Sequence, residues 1–346
     1  MARLAWFLAL ASGIALVFTP PLAAESRARP VLVGYVAAFK GMRPAIARLP
    51  RSTYTHLNIA FANPGPTGRF VTGDRLACMA DGSGGTMTRA ALKSGVRAAQ
   101  ATGARVLLSV GGGVIPGCSG DWAALLAPEK RAATVANLVA LSDELGLDGL
   151  DIDIEGVLLT AIDKAGNYTP FIAALSEAMR ARGKLLTCAT ASYEGGMIPV
   201  SSIPYFDLVN VMSYDAIGPS WGPAGAEHST LAGAERDLEL WLDKGVSPER
   251  LVLGVPFYGY GFGGFQPNWS YRDIVARYGA EARRGDVIGR ACAGCRYITY
   301  NSPATIARKA DLARDNAGGV MVWEVSQDSA GHELTRTILN AWRSPE

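Results

Sequence analysis

The residues best able to do chemistry lie in one short run, Asp148-Gly149-Leu150-Asp151-Ile152-Asp153-Ile154-Glu155. Leu150, Ile152 and Ile154 alternate with Asp151, Asp153 and Glu155, which is the period of a β-strand. The three acids therefore share one face and the three aliphatics the other. Carboxyls crowded onto one face of an otherwise apolar strand are costly to ionise together, so burial and mutual repulsion raise the pKa of at least one. A carboxyl that keeps its proton near neutral pH can act as a general acid. Two other readings fit the same residues: a solvated acidic edge strand, and a divalent-metal site on the Asp-x-Asp pair. Asp148 has the opposite parity and is expected behind the reactive face.

Other elements must hold that strand in place. Apolar runs of strand length recur at residues 31–39, 55–62, 105–110, 147–155, 184–192, 206–214, 251–257 and 319–325. Most are nearly continuous in apolar character, the mark of parallel strands covered on both faces. Amphipathic helical patterns fall at residues 88–102, 121–145, 170–182, 231–244, 303–316 and 331–343, and Gly103, Gly146 and Gly183 supply helix stops. Strands and helices in this order predict an α/β chain folded as a (β/α)8 TIM barrel, with a doubly wound open sheet as the runner-up. Residues 258–318 are more than one crossover needs, so a small excursion is expected between strands 7 and 8.

In such a barrel the carboxyl ends of the strands carry the chemistry. Those ends offer Tyr35, Phe61, the run Ser109-Val110-Gly111-Gly112-Gly113, Glu155, Met212-Ser213-Tyr214-Asp215, Phe257-Tyr258 and Trp323. The glycines let backbone or ligand approach closely. One aromatic at a strand end is more often core packing. Several around a single acidic strand suggest a saccharide cleft, because aromatic faces stack on sugar rings while carboxyls bind hydroxyl and amide edges.

Composition narrows the partners. Thirty-three basic against 31 acidic side chains leave a net charge of +2, no footprint for nucleic acid. Residues 1–24 read as a secretory signal, with Arg3, an apolar stretch from Trp6 to Phe18, and a small-residue end. Residues 25–346 are then expected as a single catalytic domain, secreted to the extracellular space or periplasm, monomeric and without a membrane anchor. No metal and no cofactor enter this expectation. Five cysteines leave at least one thiol unpaired or intermolecular. Cys188 reads as a buried filler, Cys78 and Cys118 lie in loops and could bridge, and Cys292-Ala-Gly-Cys295 fits a disulfide or plain thiols better than a zinc half-site.

The acidic run resembles the Asp-Gly-x-Asp-x-Asp-x-Glu signature of family 18 glycoside hydrolases, the chitinases and their relatives. Ser109-Val-Gly111-Gly112, Met212-Ser-Tyr214-Asp215, Gly318-Gly319-Val-Met-Val-Trp323 and Gly34-Tyr35 match further motifs, from about residue 31 to residue 330. The resemblance implies a (β/α)8 barrel and retaining, substrate-assisted hydrolysis of β-1,4-linked N-acetylglucosamine polymers such as chitin and chito-oligosaccharides. It implies that Glu155 protonates the glycosidic oxygen, and that Asp153 orients the 2-acetamido group. Asp151 would share a proton or hydrogen bond with Asp153, and Tyr214 and Asp215 would hold the acetamido group. Trp323 would floor the cleavage subsite, with Tyr35, Met212 and Tyr258 lining the same pocket and Phe61 nearby.

Two departures bear on mode of action. Gly113 stands where polymer-binding relatives often carry Trp, which leaves Trp221 as the expected platform on the leaving-group side. The excursion also reads as shorter than in processive relatives. Both imply an open cleft and endo-type cutting. The same acidic strand would serve an endo-β-N-acetylglucosaminidase acting on N-glycans, and a non-catalytic chitin-binding lectin could share the barrel.

Overall fold

The eight apolar runs form strands that close on one another in a computed structural model, which describes residue 1 and residues 30–343. In chain order they are Val31–Ala37 (β1), His56–Ala62 (β2), Arg105–Gly112 (β3), Gly149–Ile154 (β4), Leu185–Thr190 (β5), Leu208–Val211 (β6), Leu251–Pro256 (β7) and Gly319–Trp323 (β8). All pair in parallel around the ring β1-β8-β7-β6-β5-β4-β3-β2, so the barrel, not the open sheet, is the fold. The secretory signal expected over residues 1–24 lies, Met1 apart, outside the described residues. No helix among the described residues is long and apolar enough to cross a membrane.

The two faces of the strands differ in chemistry. Leu57, Ile59, Val106, Leu108, Val110, Leu150, Ile152 and Ile154 belong to one apolar cluster with helix residues such as Leu138, Phe171 and Leu175. Burying each of these large aliphatic side chains is worth about 1.5–3 kcal/mol, which ties the helical layer to the barrel. A small separate cluster of Val33, Tyr35, Ala60, Leu208, Val252 and Met321 fills part of the interior. Buried polar residues, among them Asn58, Ser109, Asp151, Asp153, Thr187 and Asn210, complete it. The acids of β4 thus point inward and its aliphatics outward.

The helices depart from expectation in ways that residue chemistry explains. The pattern at 121–145 divides into Trp122–Leu125, capped by Asp121, and Pro128–Leu145, because proline is tolerated only in a first turn. Helix Gly156–Lys164 was not expected. Its first residues include Val157, which is 90% exposed, so its apolar residues do not trace one face. A three-stranded antiparallel sheet of Val71–Thr72, Arg75–Ala80 and Thr86–Thr88 follows β2 and was also not expected.

The excursion after β7 is a four-stranded antiparallel sheet, Tyr258–Phe262, Asn268–Ser270, Val287–Gly289 and Tyr297–Thr299, with helix Tyr271–Tyr278. Cys78 bridges to Cys118, Cys292 to Cys295, and Cys188 is a buried free thiol. The CxxC is therefore a disulfide rather than a zinc half-site. Asp148 sits at the amino end of the strands, where its Oδ2 accepts from the Val106 N–H at 2.8 Å and from Gln100 Nε2 at 2.9 Å. It anchors β3 beside β4 at the end of the barrel away from Glu155.

Candidate active site

The deepest acid is held by its neighbours in the sheet. Strand register places Ser109 on one side of Asp151 and Thr187 on the other. Both hydroxyls donate to the carboxylate, Ser109 Oγ to Oδ2 at 2.7 Å and Thr187 Oγ1 to Oδ1 at 2.6 Å. A third donor, Tyr35 Oη, reaches Oδ2 from β1 at 2.7 Å. Burial raises the Asp151 pKa, and the hydroxyls of Thr187, Tyr35 and Ser109 pull it back down. In this structure Asp151 is bound to hydroxyls, and the neighbouring charge that acts most strongly on Asp153 is Glu155.

Asp153 and Glu155 act on each other electrostatically. Burial pushes the Asp153 pKa well up, and the charges of Glu155 and Asp151 and a side-chain hydrogen bond with Glu155 add to the effect. Burial raises Glu155 as well, the hydrogen bond from Asp153 lowers it, and Asp215 raises it. Two acids that act on each other this strongly, Asp153 buried and Glu155 partly so, lose their protons as a unit. The pair therefore holds a proton into the range where a free carboxyl has lost it.

The chain leaves the sheet at Val211, so Met212–Asp215 continue β6 as irregular backbone, shorter in strand than the expected 206–214. Asp215 adopts φ +64°, rare for a residue with a side chain. Its Oδ1 accepts from Tyr258 Oη at 2.5 Å, and the buried His228 Nδ1 lies 3.6 Å away. Burial lowers the His228 pKa, which favours a neutral ring despite the neighbouring Asp215.

A cavity of about 560 Å³ brings together Tyr35, Phe61, Asp153, Glu155, Met212, Tyr214, Asp215 and Trp323. The Trp323 ring stacks on Phe61 at 5.6 Å between centroids and meets the Tyr35 ring edge-on at 5.4 Å. A second cavity of about 650 Å³ shares Glu155, Met212, Tyr214 and Asp215, and adds Tyr193, Trp221, Arg236 and Asp237. The cleft thus continues on both sides of Glu155. One half is walled mainly by aromatic and apolar groups, the other by mixed polar groups.

Two expected positions need correction. Tyr258 does not line either cavity. It starts the first strand of the excursion, is 8% exposed, and braces Asp215 from behind. Asp151, expected to share a proton or hydrogen bond with Asp153, is wholly buried and takes its hydrogen bonds from Tyr35, Ser109 and Thr187 instead. Gly113 is close to the reactive acid: a β-carbon there would lie 3.0 Å from Glu155 Oε1. Trp221 does stand on the cleft wall, 46% exposed, with Nε1 donating to the Asp215 carbonyl oxygen at 2.9 Å. Tyr193, 61% exposed, joins it and was not expected. Its signal was an aromatic immediately after the fifth apolar run. Among the described residues, no group of three or more His, Cys, Asp or Glu is arranged to hold a metal ion.

Residues 31–328 match the family described as glycosyl hydrolases family 18. A class V chitinase of Arabidopsis thaliana is 26% identical over 282 residues, 69% of this chain and 73% of that protein. Probable chitinase 10 of Drosophila melanogaster is 25% identical over 277 residues, 63% of this chain but only 12% of that protein. For a chitinase-like effector of Moniliophthora roreri the match spans 55% of the relative. Among solved structures, the family 18 chitinase ChiB from the chitin utilization locus of Flavobacterium johnsoniae superposes with a TM-score of 0.74 at 30% identity, over 91% of this chain and 94% of that one. A Cycas revoluta family 18 chitinase in complex with (GlcNAc)3 has the same fold, with a TM-score of 0.74 at 22% identity over 90% and 99% of the two chains.

Proposed function

The chain belongs to glycosyl hydrolase family 18, and we propose that it cleaves β-1,4-linked N-acetylglucosamine polymers by a retaining, substrate-assisted mechanism. One observation carries this reading. Asp151 is occupied by three hydroxyls, which leaves Asp153 and Glu155 as the two acids of the strand that line an aromatic cavity. A single proton donor with an adjacent polarising acid suffices when the substrate supplies the nucleophile.

In the first step Glu155 gives its proton to the glycosidic oxygen as the bond to the anomeric carbon breaks. The carbonyl oxygen of the sugar's 2-acetamido group attacks the same carbon, and the leaving chain departs as an alcohol. Asp153 binds the acetamido N–H and offsets the positive charge of the resulting oxazolinium ring, an electrostatic contribution strengthened by burial. Trp323 takes the acetyl methyl against its face, while Tyr214 and Asp215 hold the group in place. Water then attacks the anomeric carbon, Glu155 takes the proton back, and the configuration is retained.

The cleft's continuation past Glu155 in both directions supports internal cutting of a chain threaded through it. The two disulfides suit an oxidising compartment, so we place the enzyme outside the cytosol, acting as a monomer. Product analysis on chitin hexamer, chitosan and a high-mannose glycoprotein side by side tests the assignment. Internal cleavage of the hexamer is expected. Equal cleavage of glycans without the N-acetyl group would refute substrate assistance, and release of the glycoprotein's glycan alone would move the activity to N-glycans.

A further inference from the structure

Behind the end of β6 lies a buried cation that the mechanism does not use. Lys309, on helix Pro303–Asn316, is fully buried. Its Nζ donates to the Ser229 carbonyl oxygen at 2.9 Å, to Ser229 Oγ at 2.6 Å and to Asn301 Oδ1 at 2.9 Å. All three acceptors are neutral. Burial drags the Lys309 pKa down to about 7, resisted only at longer range by Asp286, Asp237 and Glu227. An arrangement this costly is worth tracing to what it holds.

The bonds converge on Ser229. Asn301 Nδ2 donates to the same Ser229 carbonyl oxygen at 2.7 Å. Ser229 Oγ then donates to the Ser213 carbonyl oxygen at 2.6 Å, and the Ala216 N–H to the His228 carbonyl oxygen at 3.0 Å. Residues 228 and 229 are therefore a splint along residues 213–216. Lys309 Nζ donates to Ser229 Oγ and Ser229 Oγ donates to the Ser213 carbonyl oxygen, so the two bonds together hold the Ser229 hydroxyl in one direction. Tyr214 and Asp215 lie beyond the last paired residue of β6, and Asp215 holds a left-handed φ. Their placement depends on such lateral bonds.

We propose that Lys309 is a positioning residue for Tyr214 and Asp215, acting through Ser229 and Ser213. The activity readout of this inference rests on the hydrolase reading above, whereas its structural readout does not. The experiment compares Lys309→Met, Ser229→Ala and the double variant of the full chain on a chromogenic chito-oligosaccharide, at temperatures well below each melting point. Each single change is expected to lower kcat about tenfold with KM within about twofold, because Tyr214 and Asp215 hold the acetamido group that attacks the anomeric carbon. The double variant is expected to be no worse than the poorer single, as for residues in one chain of contacts. Unchanged kcat in either single variant, or losses that multiply, would overturn the proposal.

A crystal structure of Lys309→Met supplies the second readout, with Ser229→Ala in its place should the first variant not fold. The Asp215 carboxylate is expected to move relative to Glu155. If residues 213–216 keep their wild-type positions, the inference fails whatever the activity. A wild type that turns over no such substrate would refute the hydrolase reading, and the crystal structure would still decide this one.

Discussion

Gly111 and Asp153 face each other across β3 and β4 so closely that a β-carbon on Gly111 would lie 2.4 Å from the Asp153 carbonyl oxygen. Gly111 also has φ +105°, which side chains resist. The catalytic strand can therefore lie in register with β3 only where residue 111 has no side chain. Gly111→Ala is expected to part the two strands at the level of the reactive pair. A stability loss of about 2–4 kcal/mol and loss of turnover should follow, read from urea denaturation and a chromogenic assay. A variant with wild-type stability and rate would show that the strands can separate without consequence.

Glu155→Gln keeps the shape of the side chain and removes its transferable proton. General-acid catalysis contributes about 10²–10⁴-fold, so kcat on a chito-oligosaccharide is expected to fall by about that factor while binding persists. Calorimetric titration of the variant with chitin hexamer checks the second half. A wild type that binds without turnover, indistinguishable from the variant, would make the protein a lectin.

The paired acids also set the pH profile. Activity needs the pair's last proton, and its loss is opposed by burial and by the first negative charge, so the alkaline limb lies above that of a lone carboxyl. Asp153→Asn leaves Glu155 to titrate without an ionisable partner beside it. The alkaline limb of kcat/KM should then move toward acid, and the rate at the optimum should fall. An unmoved limb would show that Glu155 titrates independently of Asp153.

Much of this is legible in the sequence, and the remainder has physical reasons for being hidden. Parallel strands buried on both faces announce themselves as apolar runs, and the alternation in Asp151–Glu155 told which face each acid takes. Register does not announce itself. That Ser109, Thr187 and Tyr35 converge on Asp151 follows from how three other strands align with β4. Tyr258 reads as a cleft residue from its place after β7, yet the excursion turns it behind Asp215. Lys309 and His228 carry no local signal, since each meets the site only through contacts distant in sequence.

Tyr35→Phe tests the Asp151 cradle. Loss of one hydroxyl from a buried carboxylate is expected to cost about 1–3 kcal/mol. The sign of its pH dependence follows from linkage. The folded pKa of Asp151 is already raised, so its ionisation destabilises the fold as pH rises above the unfolded value, and removing the Tyr35 donor raises it further. The deficit of the variant should therefore be larger at neutral pH than at pH ~4, as urea melts at the two values would reveal. A deficit that is the same at both would mean that Tyr35 only packs against Trp323.

Trp221 and Tyr193 bear on how the enzyme meets a long chain. Both are exposed on the half of the cleft away from the Trp323 floor, and the Trp221 ring also packs edge-on against Tyr260, with centroids 5.6 Å apart. Stacking of a sugar on an exposed aromatic stabilises ground state and transition state alike, so its loss raises KM more than it lowers kcat. Tyr193→Ala is the cleaner variant, because Trp221 Nε1 also holds the Asp215 backbone. For Tyr193→Ala, KM on chitin hexamer should rise several-fold while kcat stays near wild type, and the shortest substrates should be unaffected. Trp221→Ala should show the same rise together with a fall in kcat, since the Asp215 segment loses a donor. An open cleft also predicts that wild-type digests of long polymer contain a spread of oligomers from the first minutes. Disaccharide alone at early times would instead mean that the chain is held and advanced between cuts, and that these two aromatics act as a track.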